Sequence, residues 1–141
     1  MGAARSTRYN PGVSDESEVL RANASFYETF ARKDAEAMDR VWADEGPVAC
    51  VHPGWGALSG RDAVVRSWRA ILDGGGAPPI RCEGASAHLW GEVALVLCTE
   101  RIPGASLAAT NLFVRQRGAW KLAHHHASPV AEAPRADPVL N

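Results

Sequence analysis

Neither sign of charge dominates this sequence: 15 Lys and Arg stand against 16 Asp and Glu in 141 residues. It has no basic run, no acidic tail and no basic stripe interleaved with aromatics, so the electrostatic footprint of a nucleic-acid-binding protein is missing. No run of about 18 apolar residues occurs, which argues against a membrane-spanning helix. Met1 to Pro11 lacks the apolar segment of a secretory leader. The start Met1-Gly2-Ala3-Ala4-Arg5-Ser6 fits the loose myristoylation pattern. That pattern is short and common, and residues 1–13 read instead as a flexible polar tail. Cysteine is scarce as well. Cys50, Cys82 and Cys98 are odd in number and lack metal-ligand spacing, and each sits in an apolar, strand-like run. They read as buried, reduced thiols of a cytoplasmic protein. The segment Gly54 to Gly60 misses the dinucleotide-binding spacing, so no nucleotide cofactor is expected.

What is present is order. Ser14 or Asp15 can cap a first helix, with Glu16 and Glu18 well placed against its dipole. Val19, Asn23, Phe26, Tyr27 and Phe30 then recur at helical spacing to about Arg32. Asn23, on that apolar stripe, is a core amide or a pocket group. Asp34 opens a short second helix whose face is Met38, Val41 and Trp42. Val48–His52 reads as a short strand, and Pro53–Gly60 as a loop holding Trp55 and Leu58. A third helix runs from about Arg61 to Asp73, with Val64, Val65, Trp68, Ile71 and Leu72 inward, and Gly74-Gly75-Gly76 stops it. The period then changes to that of strands: 80–89, 92–102, 107–116 and 119–127, with turns at Trp90-Gly91, Pro103-Gly104 and Arg117-Gly118. Residues 14–130 form one α+β domain; residues 131–141 read as a second tail. Helices can cover one face of such a sheet. The other is also partly apolar, so a homodimer through the sheet is expected.

The last hairpin, Ala109–Ser128, carries the most chemistry. A two-residue turn at Arg117-Gly118 pairs Phe113 with Leu122, Asn111 with His124 and Ala109 with His126. Side chains alternate across a strand. One face then holds Asn111, Phe113, Arg115, Trp120, Leu122, His124 and His126, the mixture of a pocket wall. Thr110 and His125 fall on the other face unless the register differs. Arg115 and Trp120 face each other as a cation–π pair.

The order of elements, together with Val51-His52-Pro53-Gly54-Trp55 through Gly60, Ser67-Trp68, Ala109-Thr110-Asn111 and Gly118-x-Trp120…His124-x-His126-x-Ser128, resembles the nuclear transport factor 2-like, SnoaL-like superfamily. The similarity spans about residues 15–130. It implies a cone: a curved antiparallel sheet wrapped around the N-terminal helices (a cystatin-like roll), a pocket at the open end and dimers through the sheet. The fold hosts isomerases, cyclases, dehydratases, epoxide hydrolases and non-catalytic association modules, so the fold alone names no reaction. Asn111 matches the position of a pocket arginine in the calcium/calmodulin-dependent kinase association domain. The anion site of that relative is therefore not expected here.

Glu100 ends the apolar strand Val93–Glu100. The following turn can set Cys98 opposite Asn111 and Glu100 opposite Ala109, which gives Glu100 the face of Asn111, His124 and His126. A carboxylate beside an imidazole in an apolar cone suits proton transfer; the competing reading is an ion pair with Arg101 or Arg115. The expectation is small-molecule binding with metal-free acid–base catalysis on a largely apolar substrate. Glu100, His126 and His124 are the catalytic candidates. Asn111, Trp55, His52, Phe113, Leu122, Trp68, Tyr27 and Cys98 are the candidate ligand contacts, although Trp68 and Trp42 also fit a core. A metal would need His124 and His126 plus His52 or Glu100, and none is expected. The alternative is a dimerisation or ligand-sensing module without catalysis.

Overall fold

The computed structural model describes residues 14–131. Both expected tails therefore fall outside the described residues, apart from Ala131. The chain forms α1 (Asp15–Ala31), α2 (Ala35–Val41), β1 (Ala49–Val51), β2 (Leu58–Ser59), α3 (Arg61–Asp73), β3 (Arg81–Trp90), β4 (Val93–Ile102), β5 (Ala105–Gln116) and β6 (Ala119–Pro129). Ser14 is the cap of α1, its side chain accepting from the Ser17 amide at 3.1 Å. The helix ends without glycine: Lys33 takes a φ of 55°, and the amides of Lys33 and Asp34 return to the carbonyls of Phe30 and Thr29, satisfying its last turn. Asp34 caps α2 through the Ala37 amide.

The six strands form one sheet in the order β2-β1-β6-β5-β4-β3. The last four are the expected meander. β1 joins it by pairing parallel to β6, with Cys50 beside His125, and β2, inside the expected loop, folds back antiparallel on β1. The helices lie against one face, and Val19, Phe26, Met38, Trp42, Val64, Val96, Phe113 and Leu122 meet there, nearly all of their surface buried. Arg61 ties α2 to α3 by donating to the carbonyls of Asp39, Trp42 and Ala43 at 2.7, 2.9 and 3.0 Å.

The hairpin turn is as expected. Arg117 and Gly118 have φ of 53° and 80°, the pair of positive angles a type I′ turn needs. Phe113 faces Leu122 and Arg115 faces Trp120, and the Arg115 guanidinium sits 4.7 Å from the centre of the Trp120 ring.

Two registers differ from the sequence reading. A β-bulge lets Leu122, Ala123 and His124 span two residues of β5, so Leu112 faces His124, Asn111 faces His125 and Thr110 faces His126. One inserted residue exchanges the faces beyond it. His125 therefore points inward and is 2% exposed, while His124 and His126 turn to the outer face. The β4–β5 turn is tighter than assumed. Glu100 faces Leu107 and Cys98 faces Ala109, a shift of two residues that leaves Glu100 on the inner face.

A candidate acid–base pocket at the open end of the cone

A cavity of about 420 Å³ opens at the β4–β5 turn end of the sheet. Phe26, Tyr27 and Phe30 of α1, Trp68 and Ile71 of α3, and Ile102 and Leu107 of the sheet supply much of its wall. Its volume is that of a small-molecule site. The polar groups on its wall are few: Tyr27, His52, Glu100 and His125, with no lysine or arginine.

Glu100 is 2% exposed. The Tyr27 hydroxyl donates to its Oε2 at 2.6 Å, and His125 Nε2 lies 3.8 Å from the same oxygen. The sheet places Glu100 and His125 inward from β4 and β6, and α1 lays Tyr27 across them. Behind them is a polar layer. Asn111 donates from Nδ2 to Asn23 Oδ1 at 2.8 Å and to Tyr27 Oη at 3.1 Å. Its Oδ1 is therefore the acceptor for His125 Nδ1 at 2.6 Å. This fixes the tautomer of a neutral His125: the proton is on Nδ1, and the Nε2 lone pair faces Glu100. Cys98 Sγ, 3.3 Å from Tyr27 Oη, completes the phenol's partners.

Burial raises the Glu100 carboxyl above the usual range against the opposing bond from Tyr27. Burial, with the neighbouring imidazoles adding to it, pulls His125 down to about 3. Burial and then the Glu100 charge hold the Tyr27 phenol far above its ordinary value, so it stays a donor. His52 pairs Nε2 with Ser67 Oγ at 2.9 Å. Because that hydroxyl donates to the Val64 carbonyl at 2.7 Å, His52 carries its proton on Nε2. Burial lowers His52 to about 4. The Trp55 ring stands 4.6 Å from the His52 ring and is 48% exposed, at the mouth.

Of the expected site residues, Glu100, Tyr27, His52, Trp55 and Trp68 line the cavity. His124 and His126 do not, because of the bulge; His124 Nδ1 instead meets the Ala49 carbonyl at 3.0 Å. Asn111 has no exposed surface and its amide is fully engaged, so it orients Tyr27 and His125 and does not reach a ligand. Asn23 is likewise a paired core amide. Phe113 and Leu122 are core residues near the other end of the strands, and Cys98 lies behind Tyr27. Cys82 is only half-buried. His125 was missed: its signal is the unbroken His124-His125-His126 run, whose facing depends on a bulge that pairing arithmetic does not contain. Among the described residues no group of three His, Cys, Asp or Glu side chains converges as a metal site.

A curved sheet wrapped on helices, with an apolar-walled cavity at its open end, defines a conical α+β roll of the nuclear transport factor 2-like type. More narrowly, the chain belongs to the SnoaL-like domain family, whose model matches residues 19–132. It is similar to a dehydratase candidate of the nuclear transport factor 2-like family from Streptomyces avermitilis, with 38% identity over 84% of this chain and 97% of that one and a TM-score of 0.76. It is also similar to a candidate calcium/calmodulin-dependent protein kinase type II association domain from Thiobacillus denitrificans, at 28% identity over 79% and 94% of the chains and a TM-score of 0.72. The F-box protein SKIP8 of Arabidopsis thaliana is 23% identical over 112 residues, which are 78% of this chain and 48% of that protein. The chain thus spans about half the length of this curated relative. Among the described residues no helix is long and apolar enough to cross a membrane.

Proposed function

We propose that the protein binds a small, largely apolar carbonyl compound in the cone and that Glu100 moves a proton on it. The observation that carries this reading is the buried Glu100 carboxyl on an apolar wall, held by Tyr27 and with no arginine or lysine on the cavity wall to lock it as an ion pair. A raised carboxyl pKa brings the acid and base forms closer in energy at neutral pH. As carboxylate, Glu100 takes a proton from the carbon next to the carbonyl. As acid, it returns that proton to the γ-carbon of a β,γ-unsaturated ketone, which moves the double bond into conjugation, or to a departing β-hydroxyl, which leaves as water. The Streptomyces avermitilis relative's description as a dehydratase candidate favours the second course. Tyr27 steadies the carboxylate, and the neutral His125 keeps a lone pair beside it. Trp55 and Trp68 supply apolar contact.

The test is a panel of neutral cyclic and aryl β-hydroxyketones and enones. Turnover is followed by enone absorbance, and binding by the indole resonances of Trp55 and Trp68. Turnover by wild type, lost in Glu100→Gln while binding persists, supports the reading. A panel that shifts neither indole overturns it and leaves the association-module reading.

The outer sheet face supports a homodimer. Leu97 is 43% exposed there, with Leu95, Leu112 and Val114 partly exposed beside it. The expected mass in solution is that of two chains, and Leu97→Lys should halve it; a monomeric wild type removes this part of the proposal.

A further inference from the structure

A second cavity, of about 270 Å³, lies near the hairpin-turn end of β5 and β6, between those strands, α1 and α2. Its chemistry is the reverse of the first. Arg32, Arg40 and Lys121 line it together with the hydroxyl-bearing Ser25 and Thr29, and no carboxylate does. α1 contributes positions 22, 25 and 29 and its C-cap residue Arg32, a helical stripe separate from the one that carries Phe26, Tyr27 and Phe30 to the cone.

Two observations mark it as more than a solvated basic rim. First, among the described residues Arg32 and Arg40, like Arg21, Arg61 and Arg66 but unlike Arg69, Arg81, Arg101, Arg115 and Arg117, meet no carboxylate, and these two stand on one wall with Lys121. Lys121 is held in place by donating to the Arg40 carbonyl at 2.7 Å, which leaves two of its three N–H groups free. Second, guanidinium, ammonium and hydroxyl groups gather in one concavity with no acidic side chain to answer them, a donor set that suits an oxyanion. Trp120 forms part of the same wall, so its indole N–H, buried and unpartnered like those of Trp42 and Trp68, is a reporter beside the cavity.

We propose that this cavity binds a small molecule through a phosphate or similar dianionic oxyanion group, with Arg32, Arg40 and Lys121 as its cations and Trp120 on its wall. The site is separate from the cone, and the inference does not rest on the proton-transfer reading.

The experiment follows the Trp120 indole N–H by ¹H–¹⁵N NMR, assigned by its disappearance in Trp120→Phe, during titration with inorganic phosphate. Saturable displacement by phosphate, absent with sodium chloride of equal ionic strength and weakened at least tenfold in Arg32→Gln/Arg40→Gln, is the expected result. Both arginines are exposed, so the double variant should fold, as its unchanged amide spectrum elsewhere would show. The proposal fails if phosphate does not move the resonance, if chloride moves it equally, or if the double variant binds phosphate as wild type does. Glu100→Gln should titrate with phosphate as wild type does, so failure here and failure in the cone are distinguishable.

Discussion

The two ends of the β5–β6 ribbon are lined by opposite chemistry. The cavity at the open end has one buried carboxyl, two neutral imidazoles and no cation on its wall; the cavity near the hairpin turn has three cations and no carboxylate on its wall. The chain's formal net charge of −1 contains no trace of this separation. Burial decides what each end can do. Glu100, out of water, is pushed toward its neutral form, the property on which the proposed proton transfer rests. Arg32 and Arg40, at the surface, are placed to attract an anion. The same α1 helix serves both ends by presenting different stripes.

The comparison is broken most directly at Glu100. Glu100→Gln should lower turnover of any substrate of the cone by roughly a hundredfold to ten-thousandfold, the usual worth of general acid–base catalysis, and leave phosphate binding unchanged. It should also stabilise the fold in alkali. A carboxyl whose pKa is raised on folding costs stability as pH rises from its unfolded value through its folded one, and glutamine removes that cost. Urea midpoints at pH 8 should therefore be higher for the variant. A lower midpoint would mean that the carboxylate is stabilising where it sits.

The imidazoles set the opposite slope. His52 and His125 fall from 6.5 to about 4 and about 3 on folding. Their unfolded forms therefore bind protons first. Stability is full above pH 6.5 and is lost as pH falls through about 4 and then about 3. Every tenfold loss of proton affinity on folding corresponds to about 1.4 kcal/mol, so the two together should cost on the order of 8 kcal/mol once the pH is below about 3, offset in part by Glu100. His125→Gln should flatten the profile below pH 6. An unaltered profile would show that His125 is not the buried group. Asn111→Ala is the next step down, at about 2 kcal/mol, because it leaves the His125 Nδ1–H and the Asn23 Oδ1 buried without a partner. Thermal unfolding measures that cost, and phosphate binding at the far end should not follow it.

Much of this fold was legible from spacing. Ser14, Asp34 and the run from Arg61 to Asp73 are where caps and apolar stripes put them, because helix signals are local. The cone came from the resemblance, and Glu100 on its inner wall followed from alternation even though the β4–β5 register was misjudged by two residues; an even slip preserves the face. The parallel docking of β1 against β6 was not legible, since it joins residues some 75 positions apart and no local signal announces it. Nor was the bulge at Ala123, and with it His125 was lost. The hairpin-end cavity escaped for a related reason. Its cations come from α1, α2 and β6 and are neighbours only after folding.

The smallest effect sharpens the point about the bulge. His124 and His126 flank His125 in the chain, and both belong on the outer face. Replacing both with alanine removes one partly exposed bond, from His124 Nδ1 to the Ala49 carbonyl, at a cost of about 1 kcal/mol or less. Ligand affinity in the cone and the turnover attributed to Glu100 should stay within about twofold of wild type, while His125→Ala should depress both. Calorimetric titration and initial rates on the three proteins decide it. If the outer pair proves as damaging to the pocket as His125, Ala123 does not interrupt the pairing, and the imidazole that faces Glu100 belongs to a different residue.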